Sequence, residues 1–356
     1  MNDKKRILVA PLNWGLGHAT RCIPIINALM GQNFEPIIAS DGAALNLLKK
    51  EFPTLIHLEL PTYHISYSKY KFFLKWQLFK KLPKLIKAIN EEKREVQNII
   101  KIYDIKGIIS DNRFGVYSTK KGIPSVYITH QLRVYSGTTT WLTTKIHQKI
   151  INKHDECWIP DFENNSNLSG KLGHIESHKL NLKYIGVLSR FSKNNSISLE
   201  NDILVVLSGL EPQRSVLEEK ILKEFENYKG HIILVRGVVE STQTKIKNKN
   251  LTIYNFMKSL ELEKAILSSH LIISRSGYTT IMDLTILEKK VFFIPTPGQN
   301  EQEYLAKRLE KLNIAPYCKQ SEFTIEKLEK IENYNGFLSL EKETDFETLF
   351  SLFKRE

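Results

Sequence analysis

A glycine loop that ends in a histidine stands near the start of the chain, in "LVAPLNWGLGHATRC". Gly15 and Gly17 permit a tight turn and a close approach of a ligand to the backbone. The helix predicted by the next residues would present unpaired N–H groups to an anion or oxyanion. His18 opens that helix, where the helix dipole lowers the pKa of an imidazole and favours its basic form at neutral pH. We therefore rank His18 first as a general base.

Two rival bases follow predicted strands in the same half of the chain. Asp111 ends "IKGIISD", and His130 ends "IPSVYITH". Because ligands of open parallel sheets bind beyond the carboxyl ends of the strands, either residue could reach a ligand at the glycine loop. A structural cap or an acceptor-binding group is the alternative role for His18, so the base stays open among the three.

The glycine loop does not have the dinucleotide-binding fingerprint. G-x-G-x-x-G requires a third glycine, and Arg21 stands past the spacer. No acidic residue ends the second strand at the usual distance, since Asp41 follows Ser40. The sequence therefore disfavours a dehydrogenase. A purely structural turn is the alternative for Gly15 and Gly17.

The second half of the chain places hydroxyls, glycines and arginines at strand ends and helix starts, a combination that suits a pyrophosphate. These residues are Ser208, Gly209 and Arg214 in "VVLSGLEPQR", and Arg275, Ser276 and Gly277 in "LIISRSGYTT". Asp283, two helical turns further on, could accept hydrogen bonds from a ribose, or it is an ordinary surface acid. The short polar side chains of Asn300, Glu301 and Gln302 suit sugar hydroxyls.

Two series of strand-like segments must position these residues. Short apolar runs alternate with helix-period segments from "RILVAPL" to "IPSVYITH", and again after about residue 181, from "LKYIGVL" to "KVFFIPT". This predicts two doubly wound α/β domains, over residues 1–186 and 187–340, with parallel sheets covered on both faces. The polar stretch "RFSKNNSISLEND" is expected at their joint. Residues 341–356 predict an amphipathic helix that packs back on the first domain.

Composition limits the classes of partner. The 356 residues carry a net charge of +12, which indicates an anionic partner. Three scattered cysteines without metal-ligand spacing predict reduced thiols in a cytoplasmic protein. Arginine-rich or glycine–aromatic recognition motifs are absent, so no nucleic acid is expected.

The densest basic stretch, residues 63–89, has seven lysines, no acidic residue and interleaved aromatics. This pattern suits peripheral contact with an anionic membrane at its inner face. A solvated helix face is the alternative. The expected contact residues are Lys69, Lys71, Phe72, Phe73, Lys75, Trp76, Lys80 and Lys81.

The order of these segments resembles the GT-B glycosyltransferases, and within them glycosyltransferase family 28. A G-x-G-H loop precedes an S-G loop, an R-S-G-x-T-x-x-x-D helix and a P-x-x-x-x-x-x-Q segment. The likeness is strongest from Tyr184 to about Pro316 and faint in the first half outside the glycine loop. It implies a GT-B fold, in which two Rossmann-like domains face each other across a cleft.

Carried over by position, the resemblance implies that Met257 presents its backbone to the base, as the family does for uracil. Asp283 matches the family's ribose-binding carboxylate, normally glutamate, and Gln302 matches its sugar-contacting glutamine. The nucleotide-sugar contacts expected from residues and resemblance together are Gly15, Gly17, Gln131, Arg190, Ser208, Gly209, Arg214, Met257, Arg275, Ser276, Gly277, Tyr278, Thr279, Asp283, Asn300, Glu301 and Gln302.

The chain also departs from the family. Family 28 includes the bacterial enzyme that adds N-acetylglucosamine to the lipid-linked peptidoglycan precursor. The family's H-E-x-N stretch becomes Ile128-Thr129-His130-Gln131 in this chain, and the G-G-S loop of that enzyme becomes "SGLEPQR". The expected relative is therefore one with another acceptor.

The resemblance implies an inverting transferase that moves N-acetylglucosamine or another hexose from a UDP-sugar to a lipid-linked or glycan acceptor. No D-x-D motif follows a suitable strand, which fits transfer without a metal, and no cofactor is expected beyond the UDP-sugar co-substrate. The alternatives are a non-hydrolysing UDP-sugar epimerase and a basic surface-binding module without catalysis.

Overall fold

A computed structural model describes residues 4–63, 74–164, 166–175, 179–194, 196–209, 211–337 and 344–354, with the backbone alone for 74–82. The chain forms two compact units. The first consists of residues 1–14, 18–188 and 342–356, and the second of residues 15–17 and 189–341. The sequence-based boundary at residue 186 lies two residues before this division.

The first unit is built on a parallel sheet in the order β3-β2-β1-β4-β5-β6-β7. Its strands are β1 (Arg6–Pro11), β2 (Glu35–Ser40), β3 (Ile56–Glu59), β4 (Ile105–Asp111), β5 (Ser125–Ile128), β6 (Glu156–Ile159) and β7 (Leu182–Tyr184). Helices α1 (Gly17–Gly31), α2 (Gly42–Glu51), α3 (Leu74–Ile102) and α4 (Thr140–Ile151) connect them. The central strands are apolar along their whole length because helices cover both faces of a parallel sheet.

The second unit is built on the sheet β10-β11-β9-β8-β12-β13, parallel except for the antiparallel pair β10 and β11. Its strands are β8 (Asn201–Val206), β9 (Ile232–Val235), β10 (Lys245–Asn248), β11 (Leu251–Tyr254), β12 (Ser269–Ser274) and β13 (Val291–Phe293). Its helices are α5 (Gln213–Glu224), α6 (Ser259–Leu267), α7 (Tyr278–Leu287) and α8 (Asn300–Lys311). Two parallel-sheet α/β units were predicted, and the structure confirms them.

The C-terminal helix α9 (Phe346–Lys354) belongs to the first unit. The ring of Phe350 lies 6.0 Å from that of Phe34, and the ring of Phe353 lies 6.2 Å from that of Trp158. Burial of each aromatic ring contributes about 2–3 kcal/mol. This apolar face therefore fixes the end of the chain against the first sheet.

The strand pattern and the sheet differ at β7, which nevertheless falls inside the predicted domain of residues 1–186. "LKYIGVL" was expected to begin the second set of strands, yet β7 pairs with β6 at the edge of the first sheet. An apolar run reveals a buried strand, but it does not reveal which sheet the strand joins. No helix among the described residues has the length and apolar character needed to cross a membrane.

Candidate active site

The glycine loop ends where α1 begins. Gly15 has a φ of +78°, a left-handed backbone conformation that other residues adopt only with strain. The chain then enters α1 at Gly17, so His18 lies in the first helical turn and Arg21 lies one turn later on the same face.

His18, Arg21, Asp111 and His130 form one cluster at the carboxyl edge of the first sheet. His18 Nδ1 lies 2.7 Å from Asp111 Oδ1. Arg21 donates through Nε and Nη2 to the two oxygens of Asp111, and its Nη1 lies 3.1 Å from His130 Nδ1. Arg21, Asp111 and His130 are buried, whereas the His18 side chain keeps 15% of its surface exposed. The structure thus brings the three candidate bases together.

Burial and charge set the protonation states in this cluster. Desolvation lowers the pKa of His18, although the Asp111 carboxylate opposes that shift and the Arg21 guanidinium adds to it. Burial disfavours the charged form of Asp111, but Arg21 and His18 together hold its pKa at about 2. At neutral pH the cluster therefore contains an aspartate anion, an arginine cation and a neutral His18.

A second buried network, which the sequence did not predict, braces the loops beside this cluster. Arg113 donates to Asp41 at 2.6 Å, to Glu92 at 2.5 Å and to the backbone oxygen of Pro61 at 2.7 Å. Glu92 also accepts from Tyr63 and from the backbone N–H of Gly115. The loops that follow β2, β3 and β4 are thereby joined to α3. An arginine at a strand end was the available signal, but its acidic partners are distant in sequence.

Gln131 lies next to His130 at the end of β5, where its backbone N–H donates to Thr129 Oγ1 at 3.1 Å.

Half of the expected membrane-contact residues lie outside the described residues, namely Lys69, Lys71, Phe72 and Phe73. Lys75, Trp76, Lys80 and Lys81 lie in α3, where the structure describes the backbone alone.

In the second unit, Ser208 and Gly209 follow β8, and Gly209 has a φ of +100°. A Cβ at Gly209 would lie 3.8 Å from Thr296 Oγ1. That hydroxyl is buried and has no hydrogen-bond partner among the described residues. Thr296 was not among the predicted contacts. Its unpaired hydroxyl beside an open glycine loop makes it a candidate ligand for a phosphate.

Two of the predicted arginines are occupied by protein acceptors. Arg214 pairs with Glu211 and, at 2.9 Å, with Glu218. Arg275 is fully buried and donates to the backbone oxygens of Ile294 and Gln213 and to the Gln320 side chain. Burial lowers the pKa of Arg275 to about 9. Protein acceptors therefore hold both guanidinium groups, while Arg275 Nε has no partner among the described residues.

Gln302 ties α8 to the neighbouring loops. Its Oε1 accepts from the Thr296 backbone N–H at 2.8 Å, and its backbone oxygen accepts from Ser276 Oγ at 2.8 Å. Asn300 and Glu301 lie in the first turn of α8. Gly277 is the N-cap of α7, and Tyr278 and Thr279 begin that helix. The starts of α7 and α8 are thus coupled through Ser276.

Asp283 lies on the buried face of α7. Its Oδ1 accepts from Ser189 Oγ at 2.6 Å. Burial raises the pKa of Asp283 to about 6, against the opposing effects of Arg190 and Ser189. Arg190 donates to Ser259 Oγ at 3.3 Å. Met257 is buried just before α6. Ser189 and Arg190 therefore contact α7 and the start of α6.

Residues 204–334 match the family model of the glycosyltransferase family 28 C-terminal domain. The matched residues make up most of the second unit.

The family 28-like chain also resembles two curated proteins over longer alignments. A UDP-N-acetylglucosamine–N-acetylmuramyl-(pentapeptide) pyrophosphoryl-undecaprenol N-acetylglucosamine transferase of Caldicellulosiruptor saccharolyticus is 26% identical over 214 residues, 56% of this chain and 55% of that enzyme. An uncharacterized glycosyltransferase of Methanosarcina acetivorans is 25% identical over 332 residues, 84% of this chain and 81% of the relative. The chain thus aligns with about half the length of the first relative.

Solved structures show the same fold. The glycotransferase of kitacinnamycin has a TM-score of 0.59 at 13% identity and covers 93% of this chain and 90% of its own. MurG of Acinetobacter baumannii has a TM-score of 0.52 at 15% identity and covers 99% of this chain and 92% of its own. The family 28-like chain has the GT-B fold, as predicted.

Proposed function

We propose that this family 28-like protein is an inverting glycosyltransferase. It moves a sugar, N-acetylglucosamine or another hexose, from a UDP-sugar to a lipid-linked or glycan acceptor. The observation that carries the proposal is the 2.7 Å contact between His18 Nδ1 and Asp111 Oδ1, in a chain whose other unit matches the family 28 C-terminal domain.

The reaction is a single in-line displacement. His18 Nε2 takes the proton from the acceptor hydroxyl, and the acceptor oxygen forms a bond to the anomeric carbon. The bond between that carbon and the diphosphate oxygen breaks, and UDP leaves with the electron pair. Asp111 orients the imidazole and stabilises the imidazolium that forms, the role that a buried aspartate has beside a catalytic histidine.

The second unit holds the leaving group. The backbone around Gly209 and Gly277 and the start of α7 offer N–H groups to the diphosphate, and the unpaired Thr296 hydroxyl adds a donor. These neutral donors and the helix dipole stabilise the departing charge without a metal ion. Asp283 accepts from the ribose, Met257 presents its backbone to the uracil, and Gln302 contacts the sugar.

A lipid-linked acceptor would bring the protein to a membrane surface, and α4 has a face that suits one. Trp141 is 67% exposed, Leu142 44% and Ile146 51%. Lys145 and Lys149 lie on the same exposed side. An exposed tryptophan with aliphatic neighbours inserts into the interface, and each lysine near an anionic surface contributes about 1 kcal/mol.

The charge around α4 agrees with this role. From residue 112 to residue 154 the chain contains seven lysines and arginines and no aspartate or glutamate. Anionic headgroups would therefore meet no opposing charge from this stretch. We propose that α4 joins the basic 63–89 stretch in contact with an anionic membrane.

Calorimetric titration with UDP and then UDP-N-acetylglucosamine tests the donor assignment. The wild-type protein is compared with Asp283→Ala and with Glu226→Ala, a control that removes an exposed acid two residues after the end of α5. Micromolar binding that is lost only in Asp283→Ala supports the proposal. Folded protein that binds no uridine nucleotide contradicts it.

A further inference from the structure

The Arg21–Asp111 ion pair makes different contacts with two histidine rings. The pair presents a hydrogen-bond acceptor to His18, because Asp111 Oδ1 lies 2.7 Å from His18 Nδ1. The pair presents a hydrogen-bond donor to His130, because Arg21 Nη1 lies 3.1 Å from His130 Nδ1. A neutral imidazole carries one proton, so the partner of Nδ1 decides whether Nε2 is a donor or an acceptor.

At His130 the assignment follows from the chemistry of arginine. A guanidinium has N–H groups and no acceptor, so Arg21 Nη1 can only donate. His130 Nδ1 must then supply a lone pair, which leaves the proton of the neutral ring on Nε2. His130 is thereby fixed as a hydrogen-bond donor at Nε2.

At His18 two contacts to Nδ1 compete. Asp111 Oδ1 lies 2.7 Å away and Arg21 Nη2 lies 2.9 Å away. Arg21 and His18 hold Asp111 in its charged form, and a carboxylate can only accept. An unprotonated Nδ1 would place its lone pair against that anion at the shorter distance. One of the two N–H groups of Arg21 Nη2 donates to Asp111 Oδ1, and the carboxylate is the nearer and oppositely charged partner of Nδ1. Nδ1 of His18 therefore carries the proton, and Nε2 keeps its lone pair.

We infer that the Arg21–Asp111 pair holds His18 and His130 in opposite tautomers, with His18 Nε2 as an acceptor and His130 Nε2 as a donor. Arg21 is then a positioning residue that acts through Asp111 and both rings. His130 ceases to be a rival base, because its Nε2 carries the proton. The tautomers rest on the contacts and charge of the Arg21–Asp111 pair, whereas the catalytic role of Arg21 rests on the proposed function.

The tautomers are measured by two-dimensional ¹⁵N–¹H spectroscopy of protein labelled at the histidine rings, at pH 7.5. Signals are assigned by their loss in His18→Gln and in His130→Gln. The inference predicts an unprotonated Nε2 in His18 and an unprotonated Nδ1 in His130. The same tautomer in both rings, or an unprotonated Nε2 in His130, overturns it. Because no substrate is added, this result does not depend on the transferase assignment.

The variants Arg21→Lys and Arg21→Gln then test the positioning role. If these single changes unfold the protein, the double variant Arg21→Met/Asp111→Asn replaces them, because it removes both charges of the pair together. We expect kcat to fall tenfold or more, the KM for the UDP-sugar to stay unchanged, and His130 to show a mixture of tautomers. In Arg21→Gln the acid limb of the kcat–pH profile moves to higher pH, because a cation that lowers the His18 pKa is gone while Asp111 and His130 still face the ring. A folded Arg21→Gln variant with wild-type tautomers and an unshifted profile would show that Arg21 is only structural.

Discussion

Ser189 Oγ donates to Asp283 Oδ1 at 2.6 Å, on the buried side of α7. The serine follows directly on the first unit in sequence, and the aspartate is the predicted ribose ligand. Desolvation raises the pKa of this carboxyl to about 6, against the opposing effects of Arg190 and Ser189. With Asp283 as the proposed ribose ligand, the protonation of this side chain gives a test of nucleotide binding.

We predict that UDP affinity falls as the pH drops through 6. A ribose hydroxyl donates best to the ionised carboxylate, so each unit of pH below the pKa costs up to tenfold in affinity. Asp283→Asn binds UDP weakly and with a flat pH profile, and Glu226→Ala keeps the wild-type profile. Calorimetry between pH 5 and 8 checks this. A wild-type affinity that does not change over this range would remove Asp283 from the nucleotide site.

The contact between β4 and α9 gives a prediction about stability. A Cβ placed on Gly107 would lie 2.4 Å from Phe353 Cδ1, closer than a real Cβ approaches any atom. Gly107→Ala should therefore destabilise the protein by about 1–3 kcal/mol, as overpacking does. Phe353→Ala should cost about 3–5 kcal/mol by leaving a cavity. In the double variant the alanine methyl meets no ring, so the cost should be less than the sum. Urea unfolding of the four proteins measures the coupling, and strict additivity would contradict this packing.

Vesicle flotation tests the α4 surface. Trp141→Ser with Ile146→Ser should reduce binding to vesicles of phosphatidylglycerol and phosphatidylcholine, and Lys145→Gln with Lys149→Gln should remove about 2 kcal/mol of attraction. The control Leu312→Ser changes a 48% exposed leucine in the second unit. Equal binding by all variants would move the membrane contact to another surface, such as the basic 63–89 stretch.

Buried histidines predict a loss of stability in acid. Burial lowers the pKa of His147 to about 4 and that of His154 to about 3. Their folded pKa values lie below the unfolded value of about 6.5, so the unfolded chain takes up protons first as the pH falls. Stability from these groups is complete above pH 6.5 and is lost as the pH falls to about 4 for His147 and about 3 for His154. His154→Phe should flatten the dependence of the free energy of unfolding on pH in this window. An unchanged slope would show that other groups cause the acid sensitivity.

Local patterns in the sequence were sufficient to predict the sheets and the carboxyl-edge loops, because apolar strands and glycine turns are coded by adjacent residues. The buried partners were not predictable in the same way. In the sequence, Arg21 stands where the dinucleotide-binding fingerprint would have a glycine. No residue near it reveals that Asp111, ninety positions away, is its counter-ion. Arg113 and its partners Asp41 and Glu92 were missed for the same reason. Pairing across a parallel sheet depends on strand order, which local patterns do not give.

The most direct test of the central claim follows UDP release from UDP-N-acetylglucosamine in the presence of a membrane lipid extract, with the sugar labelled. The wild-type protein should release UDP and carry label into the lipid or glycan fraction. His18→Gln should lose about 10²–10⁴ in rate, the range of general base catalysis, and still bind UDP. Full activity in His18→Gln, or wild-type protein that binds UDP-sugars yet transfers nothing to any acceptor fraction, would contradict the account.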